Sequence, residues 1–143
     1  MNALTICQPY AHLIALPDTD PLKKRVENRT WHAPPDAIGK LIVIHAGKSR
    51  DWLTVEDEAR YPNMPFGAAI AVARLADCIE FRGGRLESKW EKKYPWLREH
   101  LHAQGPFCWV LTEVRKLPQP IPYRGAQGLW RFPDELMPED FRP

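Results

Sequence analysis

Apolar positions along the chain fall in short runs broken by proline-rich and charged stretches, a pattern that predicts many short elements. Leu4 to Cys7 predicts a strand, which Gln8-Pro9 ends. Tyr10, Leu13, Ile14 and Leu16 then recur at helical spacing behind a proline suited to a first helical turn, so a helix is expected up to Pro17. Asp18 to Leu22 reads as a polar, proline-bounded loop, and the charged Arg25 to Trp31 fits either a strand or a turn. Lys40 to His45 is an unbroken apolar strand, expected to be buried on both faces. Asp51 to Tyr61 has a helical pattern through Trp52, Leu53, Val55 and Ala59, with Ser49 or Asp51 as its cap. Gly67 to Phe81 holds the clearest long strand, closed by a turn at Arg82-Gly83-Gly84-Arg85. Glu87 to His102 predicts a charged helix interrupted at Pro95. In Phe107 to Val114, alternation puts Phe107, Trp109 and Leu111 on one face and Cys108 and Val110 on the other. From Pro118 onward a loop is expected, with one short strand around Gly128 to Phe132.

This series predicts an α+β fold, a small mixed β-barrel with two or three helices packed around it, as one domain over residues 1–143. Composition changes the picture little: 44% apolar and 27% charged residues suit a soluble globular chain. No run approaches the roughly 18 apolar residues of a membrane span. The first residues lack the charged-then-apolar layout of a signal peptide, so a cytoplasmic protein is expected. The net charge of +2 is too small for a long electrostatic footprint on duplex nucleic acid. It points to a local site for a small or single-stranded ligand. Cys7, Cys78 and Cys108 are odd in number, lack C-x-x-C spacing and sit in apolar runs, so they read as small buried hydrophobes. No metal or cofactor is expected. His45 has no second ligand at metal spacing, and His100 and His102, on a predicted helix, stand at i, i+2 and do not face each other.

Four segments narrow the reading. They are Ile6-Cys7-Gln8-Pro9-Tyr10-Ala11, Lys24-Arg25-Val26-Glu27-Asn28-Arg29-Thr30-Trp31, Ile44-His45-Ala46-Gly47, and Ile121 to Trp130. Together they resemble ASCH domains, which show a Gln-Pro-Trp/Tyr-Ala start, a Lys-x-x-Glu-x-Arg signature and a strand ending in His-Ala. The resemblance implies a PUA-like barrel, related to domains that hold RNA or a flipped modified base. Some small members look like amidohydrolases that remove acyl groups from N4 of cytidine, and others have been given ribonuclease activity. The stretch His45 to Trp52 with Gln8 to Ala11 looks closest to the amidohydrolase branch. One departure stands out. Where the smallest bacterial amidohydrolases carry a threonine proposed as nucleophile, this chain has Glu27, so a covalent threonine mechanism does not carry over.

Hydrolysing an N-acyl cytosine requires an activated nucleophile, a group facing the developing oxyanion and a proton for the leaving amine. Glu27 can serve as general base on a water, and Lys24 can stabilise the oxyanion or deliver the proton. A lysine desolvated beside an apolar wall can take the base role instead. On a helical turn Lys24 and Glu27 share a face; on a strand Arg25, Glu27 and Arg29 share one and Lys24 points away. A structural ion pair between Glu27 and Arg29 is the competing account. Tyr10 and Trp31 are the nearest aromatics and offer either stacking surfaces for a base or ordinary core packing, whereas Trp109 and Trp130 read as core. His45, at the end of a buried strand, fits a core histidine or a pocket rim, and Ser49 a substrate hydrogen bond or a cap. Arg124 fits a phosphate contact or plain solvation. The expected reaction is metal-independent removal of the acyl group from an N4-acylated cytosine nucleoside such as N4-acetylcytidine. Lys24 and Glu27 would be catalytic, with Tyr10, Arg29, Trp31, His45, Ser49 and Arg124 binding the substrate. The partner is a free nucleoside or a modified base in RNA; the alternatives are a non-catalytic binding module and a ribonuclease using a lysine and a hydroxyl such as that of Ser49.

Overall fold

In the computed structural model, which describes residues Met1–Pro143, the apolar runs become six strands and three short helices. The strands are β1 (Asn2–Ile6), β2 (Val26–Arg29), β3 (Leu41–Ala46), β4 (Ala68–Glu80), β5 (Phe107–Pro122) and β6 (Leu129–Arg131). The helices are α1 (Tyr10–Ile14), α2 (Val55–Arg60) and α3 (Ser88–Lys93). They form one mixed sheet in the order β2-β5-β4-β3-β1-β6. β1 and β3 run parallel, with Leu4 beside Ile44, and every other neighbouring pair is antiparallel. The sheet is a half-barrel, open between its edge strands β2 and β6. Register shifts at Ala69/Ala71, Val72/Arg74 and Leu75/Asp77 bend the long β4–β5 pair, as bulges do.

Alternation along the strands divides the core. Ile42 and Ile44 of β3 join a cluster with Leu4, Ile6, Leu75 and Trp109, while Val43 faces the opposite way into one with Ala3, Val72 and Phe132. β3 is therefore buried on both faces, as its apolar run requires. Trp109 and Leu111 of β5 enter the first cluster. Cys108 and Val110 enter a third with Val26, Ile79, Tyr94 and Leu97. Each fully buried Leu or Ile contributes roughly 1.5–3 kcal/mol of transfer free energy.

Three expectations are corrected. The helix expected from Asp51 begins only at Val55 and is capped by Thr54, which forms a reciprocal capping box with Asp57. Neither Ser49 nor Asp51 caps it, and it buries no residue; Trp52 and Val55 are exposed. The box and three acidic residues in its first turn hold it at the surface. The helix expected over Glu87 to His102 ends at Lys93, so His100 and His102 lie in turns and their ring centroids approach to 5.6 Å. β5 continues past Pro118 to Pro122. Beyond Leu111 it pairs only with β4, and a free edge tolerates the missing N–H of Pro118 and Pro120. No helix is long and apolar enough to cross a membrane.

Candidate active site

The chain returns from the loop after α1 with two adjacent lysines, Lys23 and Lys24, each only 3% exposed. They do opposite things. Lys23 Nζ donates to the carbonyls of Ile14 and Leu16 at 2.6 and 2.7 Å, closing the C-terminal end of α1. Burial lowers the pKa of this ammonium and the Asp18 carboxylate pulls it partly back. Lys24 is fixed by its backbone N–H, which donates to the Leu13 carbonyl at 3.0 Å, and its ammonium lies 3.1 Å from Glu27 Oε1.

Arg25 to Trp31 resolves as the edge strand β2, with Glu27 opposite Trp109. Glu27 and Arg29, two apart, share a side, and Arg29 Nη2 donates to Glu27 Oε2 at 2.8 Å. Lys24 precedes the strand, so alternation does not turn it away. Arg25 departs instead and donates to the Asp18 carbonyl at 2.7 Å. The result is one carboxylate held between two cations, with side chains 4, 11 and 22% exposed for Lys24, Glu27 and Arg29. Its net charge is positive. Arg29 Nη2 also donates to the Thr5 carbonyl at 3.2 Å, and its buried Nε has no acceptor in the protein.

Lys24 and Glu27 line a cavity of about 330 Å³ together with Tyr10, Cys7, His102 and Trp52. This lies at the lower end of small-molecule sites. Asn28 builds its far wall: Nδ2 donates to the His102 carbonyl at 2.7 Å, and Oδ1 accepts from the N–H groups of Gln104 and Gly105 at 3.0 and 2.9 Å. The Lys24 ammonium sits 5.5 Å from the Tyr10 ring centroid, and His102 meets that ring edge-on. Burial, then the Lys24 charge, lowers the pKa of His102. His100 behind it is pushed down to about 4, mainly by burial and then by His102, Lys24 and Arg25. Its Nε2 accepts the Arg25 backbone N–H at 3.1 Å, which requires an unprotonated nitrogen. Trp52, 61% exposed, forms the rim.

The remaining expected site residues go elsewhere. Trp31 packs edge-on against Trp109, centroids 4.8 Å apart, and is absent from the cavity lining. His45 and Arg124 line a second, larger cavity of about 930 Å³, and Ser49 lines neither. Ser49 is exposed, its hydroxyl accepting the Asp51 N–H at 3.2 Å. His45 Nε2 lies 2.7 Å from the Tyr123 carbonyl, which can only accept, so the proton is assigned to Nε2. Nδ1 then accepts the Thr5 hydroxyl at 3.2 Å, and Thr5 Oγ1 accepts the Trp130 indole N–H at 3.0 Å. Burial lowers the pKa of His45, partly opposed by the Tyr123 carbonyl. Of the cysteines, Cys78 and Cys108 are buried, with thiol pKa values raised by that burial. Cys7 is the correction, half-buried on the cavity wall. No three His, Cys, Asp or Glu side chains converge in a way that could hold a metal ion.

Sequence reasoning missed Asn28, His102 and Trp52. Asn28 stood between Glu27 and Arg29, and Trp52 is an aromatic in the polar run Lys48-Ser49-Arg50-Asp51, a visible signal for a surface role. His102 carried none, because its position depends on a turn that replaces the expected helix.

The comparisons with known proteins give the fold a name. No family model matches the sequence, and a search of curated proteins gives no significant match. Among solved structures, the ASCH protein of Zymomonas mobilis superposes with a TM-score of 0.54 at 16% identity, over 94% of this chain and 89% of that one. The chain has the fold of that ASCH protein, a small α+β fold.

Proposed function

We propose that the protein is a metal-independent amidohydrolase that removes the acyl group from N4-acylated cytosine nucleosides. The observation that carries this reading is the buried Lys24–Glu27–Arg29 cluster, opening on a cavity flanked by Tyr10 and Trp52. The cytosine ring stacks on an aromatic of the cavity, which leaves the acyl carbonyl facing the Lys24 ammonium. Glu27 has lone pairs beyond those used by Lys24 and Arg29, and with them it orients a water and takes its proton. Attack on the carbonyl carbon places negative charge on oxygen, where Lys24 stabilises it. The proton held by Glu27 passes to N4 as the C–N bond breaks, giving cytidine and a carboxylic acid. Arg29 keeps Glu27 in place throughout.

The test is release of cytidine from N4-acetylcytidine by purified protein with a chelator present, beside Lys24→Ala and Glu27→Gln checked for folding by thermal melting. Turnover lost in both folded variants supports the assignment. No turnover by folded wild-type protein overturns it.

One observation favours a second reading. Both Glu27 oxygens are already engaged, which suits a carboxylate that accepts a base N–H without doing chemistry. A non-catalytic reader of this kind would bind N4-acetylcytidine and return it unchanged. The ribonuclease alternative would need a hydroxyl other than that of Ser49, which does not line the Lys24 cavity.

A further inference from the structure

The larger cavity has a different chemistry from the smaller one. Lys48 and Arg124 line it, no Asp or Glu does, and neither cation makes an ion pair. The Lys48 stem lies across Gly67, where an added Cβ would sit 3.0 Å from Lys48 Cε. The loop Arg124-Gly125-Ala126-Gln127 forms one wall, and none of its backbone N–H groups meets an acceptor in the protein. A run of unpaired N–H groups beside two free cations is an anion-binding arrangement. The loop is held in place from below. Tyr123 N–H donates to the Gly67 carbonyl at 3.1 Å, and the Tyr123 carbonyl accepts a hydrogen bond from His45 Nε2 at 2.7 Å. Gly125 approaches so closely that a Cβ there would lie 2.5 Å from Thr5 Oγ1 and 2.7 Å from His45 Cε1.

The two cavities are neighbours along the chain. Thr5 lines the larger, the next residues Ile6 and Cys7 line the smaller, and Arg29 donates to the Thr5 carbonyl. We propose that the larger cavity binds a phosphate of the same ligand whose base occupies the Lys24 cavity, so that the preferred substrate is a nucleotide or short RNA in place of a free nucleoside. This rests on the nucleoside reading of the smaller cavity. It also accounts for a net charge of only +2, since a single phosphate needs a local pair of cations and no basic track.

The experiment is a heteronuclear NMR titration of the full chain with cytidine, cytidine 5′-monophosphate, a cytidine-centred trinucleotide and inorganic phosphate. The monophosphate or the trinucleotide should bind about tenfold tighter than cytidine, the scale of one charge-assisted hydrogen bond, and should move the amides of Arg124 to Gln127. The tighter of the two identifies a monoester or a diester as the natural group. The double variant Lys48→Ala/Arg124→Ala should lose this advantage and keep its affinity for cytidine, and millimolar phosphate should move the same amides. Equal affinity for all three nucleoside ligands, or unmoved amides with every phosphate, overturns the inference. A parallel assay of N4-acetylcytidine and its 5′-monophosphate separates the two claims. Amide shifts without turnover sink the reaction and keep the phosphate site; turnover indifferent to the phosphate sinks the site and keeps the reaction.

Discussion

The two cavities share a strand and differ in how their charges are settled. At Lys24, two cations converge on one carboxylate, all three side chains are largely buried, and the geometry is fixed by backbone contacts from α1 and β2. At Arg124, the cations are exposed and unpaired, and the hydrogen-bonded part is the neutral floor of Thr5, His45 and Tyr123. The contrast teaches where rigidity is needed. On the proposed reading, groups that must meet a reacting atom have to be placed within a fraction of an ångström, so their partners are desolvated with them. At the proposed phosphate site, cations that only attract a charge can stay solvated.

The largest expected effect comes from removing the shared carboxylate. Glu27→Ala leaves Lys24 and Arg29 facing each other without compensation, and urea unfolding should report a loss of about 3–5 kcal/mol. Glu27→Gln keeps the shape and should cost less. Next is Lys24→Ala, for which kcat on N4-acetylcytidine should fall by about 10²–10³, the scale of losing one oxyanion donor. The equivalent change at the other cavity, Lys48→Ala/Arg124→Ala, should leave that kcat intact.

Gly125→Ala tests the neutral floor. The new Cβ must push Thr5 or His45 aside, and calorimetry should show about 1–3 kcal/mol of destabilisation without loss of the Lys24–Glu27 pair. Trp52→Ala probes the rim of the smaller cavity. Its side chain is mostly exposed, so stability should stay within about 0.5 kcal/mol. Nucleoside affinity should drop by about 1–3 kcal/mol if a base stacks there, which titration calorimetry reads directly.

The pH response should draw most on His100, behind the smaller cavity. His100 has its pKa lowered to about 4 in the folded state from an ordinary 6.5, so between these values the unfolded chain binds a proton that the folded chain refuses. Its contribution is fully present above about pH 6.5 and is lost as pH falls toward 4. His102 and His45 shift in the same direction. Denaturation midpoints measured from pH 7 to 4 should fall, and His100→Gln, which keeps an acceptor for the Arg25 N–H, should flatten part of that slope.

Much of the fold could be read from the chain. The two-sided run Lys40 to His45 had to be an interior strand, and the alternation of Phe107 to Leu111 put Trp109 in the core. Periodicity speaks plainly where a face is buried. It misled at Asp51 to Tyr61, where apolar spacing had no core to meet and local capping set the helix, and at Glu87 to His102, where Tyr94 and Leu97 reach the core but the helix stops at Lys93, before Pro95. The Lys24–Glu27 pairing was one of two open alternatives, and neither the strand rule nor the helix rule produced it. It depends on Lys24 lying just before β2, anchored to Leu13.

By itself the sequence determined which residue types were available, the strands that had to be buried, and a charge balance too small for a nucleic-acid track. Only the tertiary structure decided that Lys24, Glu27 and Arg29 meet, that His45 and Arg124 belong to another cavity, and that Trp31 lies at the surface edge-on to Trp109 while Trp52 reaches the rim. The physical reason is one of range. Burial and alternation are properties of neighbours along the chain, whereas a site is made by side chains on different strands, whose meeting depends on register and loop path.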